Sequence, residues 1–271
     1  MSTSQITVVI PVYNREKYIE KALNSVLKQT YTQWQMIIIN DGSTDKTGEI
    51  IKRFTDEKRI RHIQYEKNRG TGKALQSALK EIQTPYFVIL DSDDWFEPDT
   101  LKVLVKEMDK QPETTSLICA NSNVWKERVD KTSKVYLLKN RSFQDKYDFL
   151  RYGPAIYPRC MRTATVRRVG GFANDDPHGG RFDEDRYLLL KLIGISNFHW
   201  IDKTLYNVLT HEGNTTRREN RKYFKEAKKY IFTKILKQWG DEYEPVFAIA
   251  EDGWLYIKKL KPKKEGVKRI N

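Results

Sequence analysis

Ile6-Thr7-Val8-Val9-Ile10-Pro11-Val12-Tyr13-Asn14 opens the readable pattern of the chain: residues 6–10 are apolar and β-branched, and the run stops at a proline. A short unbroken apolar run of this kind suits a parallel strand covered on both faces. Residues 15–28 follow with Tyr18, Ile19, Ala22, Leu23, Val26 and Leu27 at helical spacing, and Asn14 reads as their N-cap. The unit then repeats. Residues 36–39 predict a strand ending in the turn Asn40-Asp41-Gly42-Ser43-Thr44, and Ile50, Ile51 and Phe54 mark a helix. A weaker strand at 61–65 leads through loop 68–72 to a helix carrying Ala74, Leu75, Ala78, Leu79 and Ile82. A strand at 86–90 ends in Asp91-Ser92-Asp93-Asp94, a helix follows from Pro98-Asp99, and a fifth strand is read at 116–120. Strand and helix alternate, so the expected architecture is α/β, a doubly wound and mostly parallel sheet. Ligands of such sheets bind beyond the carboxyl ends of the strands. That rule converges Tyr13-Asn14, Asn40-Asp41 and Asp91–Asp94 on one crevice.

The rest of the chain is less regular. Residues 121–152 read as a polar connection with a short strand at 135–138, and Gly170-Gly171-Phe172 as a turn. A helix is expected over 185–193, strands at 197–201 and 206–209, and a basic amphipathic helix at 219–239 with Phe224, Ala227, Ile231 and Ile235 on one side. The division expected is a βαβ half at 1–120, a second half of the same domain at 121–216, and a basic helical extension at 217–271.

The chain has 271 residues and a net charge of +13; residues 217–271 hold 16 Lys/Arg against 8 Asp/Glu, and so carry +8 of it. Basic excess suits nucleic acid, an anionic membrane surface or a phosphorylated ligand, and does not choose among them. No run reaches the ~18 apolar residues of a membrane span, and residues 1–5 do not resemble a signal peptide. The expected location is the cytoplasm; the apolar side of the 219–239 helix is expected to pack on the preceding domain or a second subunit, and peripheral contact at the inner face of the plasma membrane through the basic segment is the alternative. Cys119 and Cys160 suit neither a disulfide framework nor a zinc site.

Asp91-Ser92-Asp93-Asp94 is the sharpest chemical feature. Three carboxylates in four residues repel one another unless a cation or hydrogen bonds neutralise them, and a hard divalent cation sharing phosphate oxygens is one solution. A solvated turn is the other. Asp41 can accept from the N3–H of uracil or thymine, or can serve only its own turn. Glu184-Asp185 opens a helix, where a carboxylate is either a dipole partner or a base for a hydroxyl. His211, in Thr210-His211-Glu212-Gly213-Asn214, is either a loop histidine or a metal ligand. No Gly-x-Gly-x-x-Gly follows the first strand and no Gly-x-x-x-x-Gly-Lys-Ser/Thr is present, so dinucleotide and P-loop readings lose their main support.

Six motifs in order, Val9–Asn14, Asn40–Ser43, Asn68-Arg69-Gly70, Leu90–Asp94, Val169–Phe172 and Glu184-Asp185, resemble the inverting family 2 glycosyltransferases of the GT-A fold, the SpsA-like group, over about residues 6–216. The resemblance implies that Pro11, Tyr13 and Asp41 surround the nucleotide base and ribose, and that Asp91 approaches the ribose with Ser92 in the same site. Asp93 would ligate Mn²⁺ or Mg²⁺, His211 would join it, Lys73 would stand near the nucleotide, and Asp185 would be the general base. The family usually carries Asp-Asp-Gly-Ser where this chain has Asn40 before Asp41. The expected donor is a nucleoside-diphosphate sugar, UDP first and dTDP second, and the expected acceptor a glycan or lipid-linked hydroxyl. Two rivals are a sugar nucleotidyltransferase, which would release pyrophosphate, and a non-enzymatic binder of anionic membrane or nucleic acid. No nucleic acid is expected, since no recognised binding module is visible.

Overall fold

A computed structural model describes residues 4–128, 132–216 and 218–263. Residues 217 and 264–271 of the expected extension lie outside the described residues, as do residues 1–3 and 129–131. The chain runs β1 (Ile6–Val12), α1 (Ile19–Leu27), β2 (Trp34–Asn40), α2 (Thr47–Lys52), β3 (Ile60–Gln64), α3 (Thr71–Glu81) and β4 (Tyr86–Ile89). It continues through β5 (Trp95–Phe96), α4 (Thr100–Lys110), β6 (Thr115–Glu127), β7 (Thr132–Leu138), α5 (Lys146–Arg151), β8 (Tyr157–Arg162), α6 (Thr163–Arg168) and α7 (Glu184–Ile193). It ends with β9 (Asn197–Thr210), α8 (Arg221–Gln238), β10 (Tyr243–Ile249) and β11 (Leu255–Pro262).

The main sheet has the order β3-β2-β1-β4-β8-β6-β9-β5, with β7 paired to β6. Its first four strands are parallel, as the alternation predicts. Beyond β4 the sheet is mixed: β8 is antiparallel to both β4 and β6, while β6 and β9 are parallel. Helices cover both faces because side chains alternate along each strand. Val8 and Ile10 pack with Leu23 and Val26 of α1, whereas Val9 packs with Leu75 and Ala78 of α3.

Three local expectations are corrected. Asn14 does not cap α1, which begins at Ile19. Asn14 sits at φ 50° with its side-chain oxygen accepting the Thr44 amide at 2.8 Å, so its cap function is spent on the neighbouring turn. Residues 121–127 are not a loop but the continuation of β6, buried as far as Val124. Across the sheet Asn121 donates to Asp202 at 2.8 Å and Asn123 to Asn207 at 3.1 Å, while Ser122 Oγ and Asn123 Oδ1 have no partner. The strands expected at 197–201 and 206–209 are one strand.

The C-terminal extension begins with a helix, and a hairpin follows it. Ala227, Ile231 and Ile235 of α8 pack into the same core as Leu189 and Leu192 of α7, together with Ile257 and Leu260 of β11. The apolar stripe of α8 is therefore interior surface. Pro245 and a bulge at Val246/Phe247 break the alternation that would have marked β10. Among the described residues, no helix is long and apolar enough to cross a membrane.

Candidate active site

The crevice is built where β1, β2 and β4 end. The Asp41 amide donates to the Val12 carbonyl at 2.8 Å, and the Asn14 amide donates to Ser43 Oγ at 3.0 Å. These bonds stitch the first two strand ends together. Asp41 is 3% exposed, and its two carboxylate oxygens accept the backbone amides of Arg69 at 2.9 Å and Gly70 at 2.8 Å. It thus fixes the 68–70 loop while keeping further acceptor capacity on each oxygen. Gly42, at φ 75°, lies so close to the backbone of Lys67 and Asn68 that a Cβ would stand 2.6 Å from a carbonyl carbon. Asn40 is buried and donates to Gln64 Oε1 at 2.8 Å, so the residue that departs from the family pattern is tied inside the sheet edge. Pro11 is half-buried on β1, and Tyr13 is 41% exposed at its mouth.

The acidic turn after β4 divides its carboxylates among three environments. Asp94 is buried and accepts the Leu209 amide at 2.8 Å; burial, then Asp93 and Asp91, push its carboxyl well above the usual range. Ser92 is buried beside it. Asp93 turns the other way, accepting from His211 Nε2 at 2.9 Å, Arg15 Nε at 3.2 Å and Asn214 Nδ2 at 3.3 Å. Burial alone would raise the Asp93 carboxyl; the His211 hydrogen bond and the Arg15 charge overcome it and hold the group below its ordinary value. His211 reaches Asp93 because β5 pairs with β9, Trp95 against Asn207, which delivers the end of β9 to the acidic turn. Its ring packs on Tyr18 with centroids 4.2 Å apart.

Asp91 faces the third environment. Arg159 Nη2 donates to both Asp91 oxygens at 3.0 Å, and Arg159 Nη1 donates to Asp185 Oδ2 at 2.6 Å. Arg159 lies opposite Ile89 in the β4–β8 pairing, which puts it on the face of the sheet that Asp91 and the start of α7 share. It is 4% exposed, stacks at 4.8 Å over the Tyr157 ring, and its Nε has no partner. Burial pushes the Asp91 carboxyl up, Arg159 draws it down, and Asp93 and Asp185 push it up again, for a net rise. A single guanidinium therefore joins the strand-end acid to the helix-start acid, its two terminal nitrogens in a rigid fork each serving one of them.

Asp185 sits in the first turn of α7, where its other oxygen accepts the Arg186 amide at 2.6 Å. Burial, then Asp185, push neighbouring Glu184 well above the usual range, and burial pushes Asp183 up to about 7. The glycine-rich loop before α7 closes on α3: the Gly72 amide donates to the Gly180 carbonyl at 3.0 Å, and a Cβ on Gly72 would stand 2.6 Å from that oxygen. Lys73 is half-buried on the α3 side of this contact, with Nζ 3.9 Å from where a Cβ of Gly179 would lie.

The structure thus joins Asp91 to Asp185 through Arg159 and Asp93 to His211 directly, the two pairs meeting in the turn after β4, while Asp41 holds the end of β2. Among the described residues Lys73 makes no direct contact with those carboxylates and lies beside Gly179. Arg159 and Arg15 escape a reading of the sequence. Arg15 directly follows the Val9–Asn14 motif, but only the tertiary contact with Asp93 reveals its use. Arg159 lies in the irregular middle, in a strand that follows the Gly153-Pro154 turn signal but shows no alternation.

The family described as "Glycosyl transferase family 2" matches residues 7–169. This chain belongs to glycosyltransferase family 2. The chondroitin synthase of Escherichia coli is 31% identical over 215 residues, which are 78% of this chain and 30% of that protein. The matched regions amount to between 15% and 36% of the length of such curated relatives. A solved structure of Staphylococcus aureus TarS 1-349 in complex with UDP-GlcNAc superposes with a TM-score of 0.67 at 21% identity, covering 86% of this chain and 66% of that one. The mannosyltransferase PcManGT of Pyrobaculum calidifontis, in complex with GDP-Man and Mn²⁺, gives a TM-score of 0.62 at 17% identity, covering 88% of this chain and 65% of that one. The fold expected of a family 2 glycosyltransferase is therefore the fold observed.

Proposed function

We propose that this family 2 glycosyltransferase moves a sugar from a UDP-sugar to a hydroxyl of a glycan or lipid-linked acceptor, in one displacement that inverts the anomeric carbon. The observation that carries the reading is the Asp91–Arg159–Asp185 bridge, which holds a donor-side carboxylate and a helix-start carboxylate at fixed separation. Asp41 and the amides it organises face the base, with Pro11 and Tyr13 beside it. Asp91 and Ser92 meet the ribose, and Lys73 closes on the nucleotide from the α3 side. Asp185 takes the proton of the acceptor hydroxyl. The acceptor oxygen bonds to the anomeric carbon while the bond to the diphosphate oxygen breaks, and its electron pair leaves with UDP.

Asp93 and His211 suit a divalent cation such as Mn²⁺ or Mg²⁺. A carboxylate oxygen and an imidazole nitrogen 2.9 Å apart can occupy adjacent positions on one ion. Among the described residues no group of three or more His, Cys, Asp or Glu is arranged to hold a metal, so diphosphate oxygens and water would complete the shell. Gly213 donates its amide to His211 Nδ1 at 2.9 Å; ligation through Nε2 requires the proton on Nδ1 and hence a turn of that amide. When bound, the ion would neutralise charge developing on the departing diphosphate. Arg15 would keep Asp93 oriented, and the 210–214 loop would exclude water.

The test is thermal unfolding with UDP, dTDP, GDP and ADP, each with and without Mn²⁺. Ligand at about 100 times its Kd stabilises by about 2.7 kcal/mol. A shift confined to UDP, or to UDP and dTDP, is the expected result. Asp185→Asn should keep that shift and lose transfer by a factor on the order of 10²–10⁴. Normal turnover in Asp185→Asn removes the base, and release of pyrophosphate in place of UDP assigns the protein to nucleotidyl transfer.

A further inference from the structure

Five cations crowd the first half of α8: Arg221, Lys222, Lys225, Lys228 and Lys229. Among the described residues none of them has a carboxylate within ion-pair distance, whereas Lys234 farther along is paired with Asp175. Glu226, the acid within the group, points its carboxylate toward His178, with Oε2 3.0 Å from Nε2. At the β10–β11 tip, Asp252 accepts the Trp254 amide at 3.1 Å and does not close on these cations.

The same face carries aromatic rings. Phe182 stacks on Tyr223 at 5.3 Å, His178 meets Tyr223 at 5.3 Å, and Phe224 meets Trp254 at 5.3 Å. The cations lie over these rings: Lys228 4.9 Å and Arg221 5.7 Å from Trp254, Lys222 4.8 Å from Tyr223. Rings and charges together run from the tip of the C-terminal hairpin to Phe182, three residues before Asp185. Lys228 is also the main charge acting against burial at Asp183.

We infer that this face is the acceptor-binding surface and that the acceptor is a polyanionic glycan chain. Its phosphate or carboxylate groups pair with the α8 cations, its sugar rings run alongside Phe182, Tyr223 and Trp254, and it enters the crevice past the start of α7. The inference rests on the sugar-transfer reading and adds the class of its acceptor. A lipid surface fits less well, because binding in a bilayer interface needs an exposed apolar stripe. The stripe of α8 is spent on the core, with Ala227, Ile231 and Ile235 at most 1% exposed.

Binding of the whole protein to short-chain polyphosphate, to an oligogalacturonate and to a neutral oligosaccharide tests the proposal, in the presence of saturating UDP. The variant is the triple Lys222→Glu, Lys225→Glu, Lys229→Glu, and the control carries the same charge change elsewhere, Lys102→Glu, Lys106→Glu, Lys126→Glu. Preference for a polyanion, weakened about tenfold or more in the α8 variant and much less in the control, is the expected result; three exposed pairs at about 0.5 kcal/mol each give that factor. Whichever of the two polyanions binds more tightly tells phosphate from carboxylate. Equal weakening in both variants, no preference over the neutral chain, or stronger binding to anionic phospholipid vesicles than to either polyanion overturns the proposal. The UDP-induced thermal shift is read in the same samples. Its absence in the unaltered protein refutes the donor reading and leaves the polyanion result to stand or fall separately.

Discussion

Replacing Arg159 tests the bridge directly. Arg159→Met keeps most of the side-chain volume and removes the cation that holds Asp91 and Asp185. Breaking a fully buried pair costs about 3–5 kcal/mol. Here the Arg159 side chain is 5% exposed but its two acids are 33% and 32% exposed, so water takes up part of the loss. About 2 kcal/mol is a fair expectation. For a chain of this size that is a fall in Tm of about 4–8 °C. The loss must depend on pH, and its sign is fixed. Burial already raises the Asp91 carboxyl, and Arg159 is the largest influence drawing it down. Without Arg159 the folded-state pKa rises further. A group whose folded pKa is raised favours the fold below its unfolded value and loses that contribution as pH climbs through the folded value. The gap between variant and parent should therefore widen above the ordinary carboxylate range and close toward about pH 4. Arg159→Lys should recover part of the stability but not the geometry, because a single nitrogen cannot reproduce the bonds that Nη1 and Nη2 make from two separate positions. Its kcat should fall on the order of 10²-fold, the price of a misplaced base, with UDP affinity changed only a few-fold. Thermal scans across pH and steady-state kinetics decide it. A Met variant with Tm unchanged at about pH 8 and kcat near that of the parent would refute the argument that the bridge positions the reacting groups.

Three further predictions follow different parts of the structure. Asp183, pushed up to about 7 by burial, costs stability when ionised, so Asp183→Asn should raise Tm above about pH 7 and not near pH 4; Asn also tolerates the observed φ of 57°. An unchanged Tm difference across that range contradicts the stated protonation. Asp93→Ala should abolish any Mn²⁺-dependent part of the UDP-induced thermal shift, and His211→Ala should weaken it. A Mn²⁺ response retained in both variants removes them as the metal pair. Ile231→Ala, at 1% exposure on α8, should destabilise by about 2–5 kcal/mol in urea unfolding. A loss under ~0.5 kcal/mol would mean that α8 is not part of the folded core.

The sequence by itself determined the first half and the chemistry at its strand ends. Apolar runs at 6–10, 36–39 and 86–90, each followed by helical spacing, leave a parallel sheet as the solution that covers both faces of every strand. The carboxyl ends then fall on one side, which is why Asp41, Asp91 and Asp93 could be grouped before any contact was known. Tertiary structure decided the rest. Residues 121–127 look like a loop because buried Asn121 and Asn123 are polar, and only their cross-sheet partners make them strand residues. The apolar stripe of α8 had the same sequence signature for a bilayer or a core, and the presence of α7 and β11 beneath it settled the matter. Arg159 is the sharpest case. Its role depends on an antiparallel strand inserted beside β4, a pairing between residues 70 positions apart that leaves no local periodicity, because sequence patterns record which face a residue occupies and not which strand lies next to it.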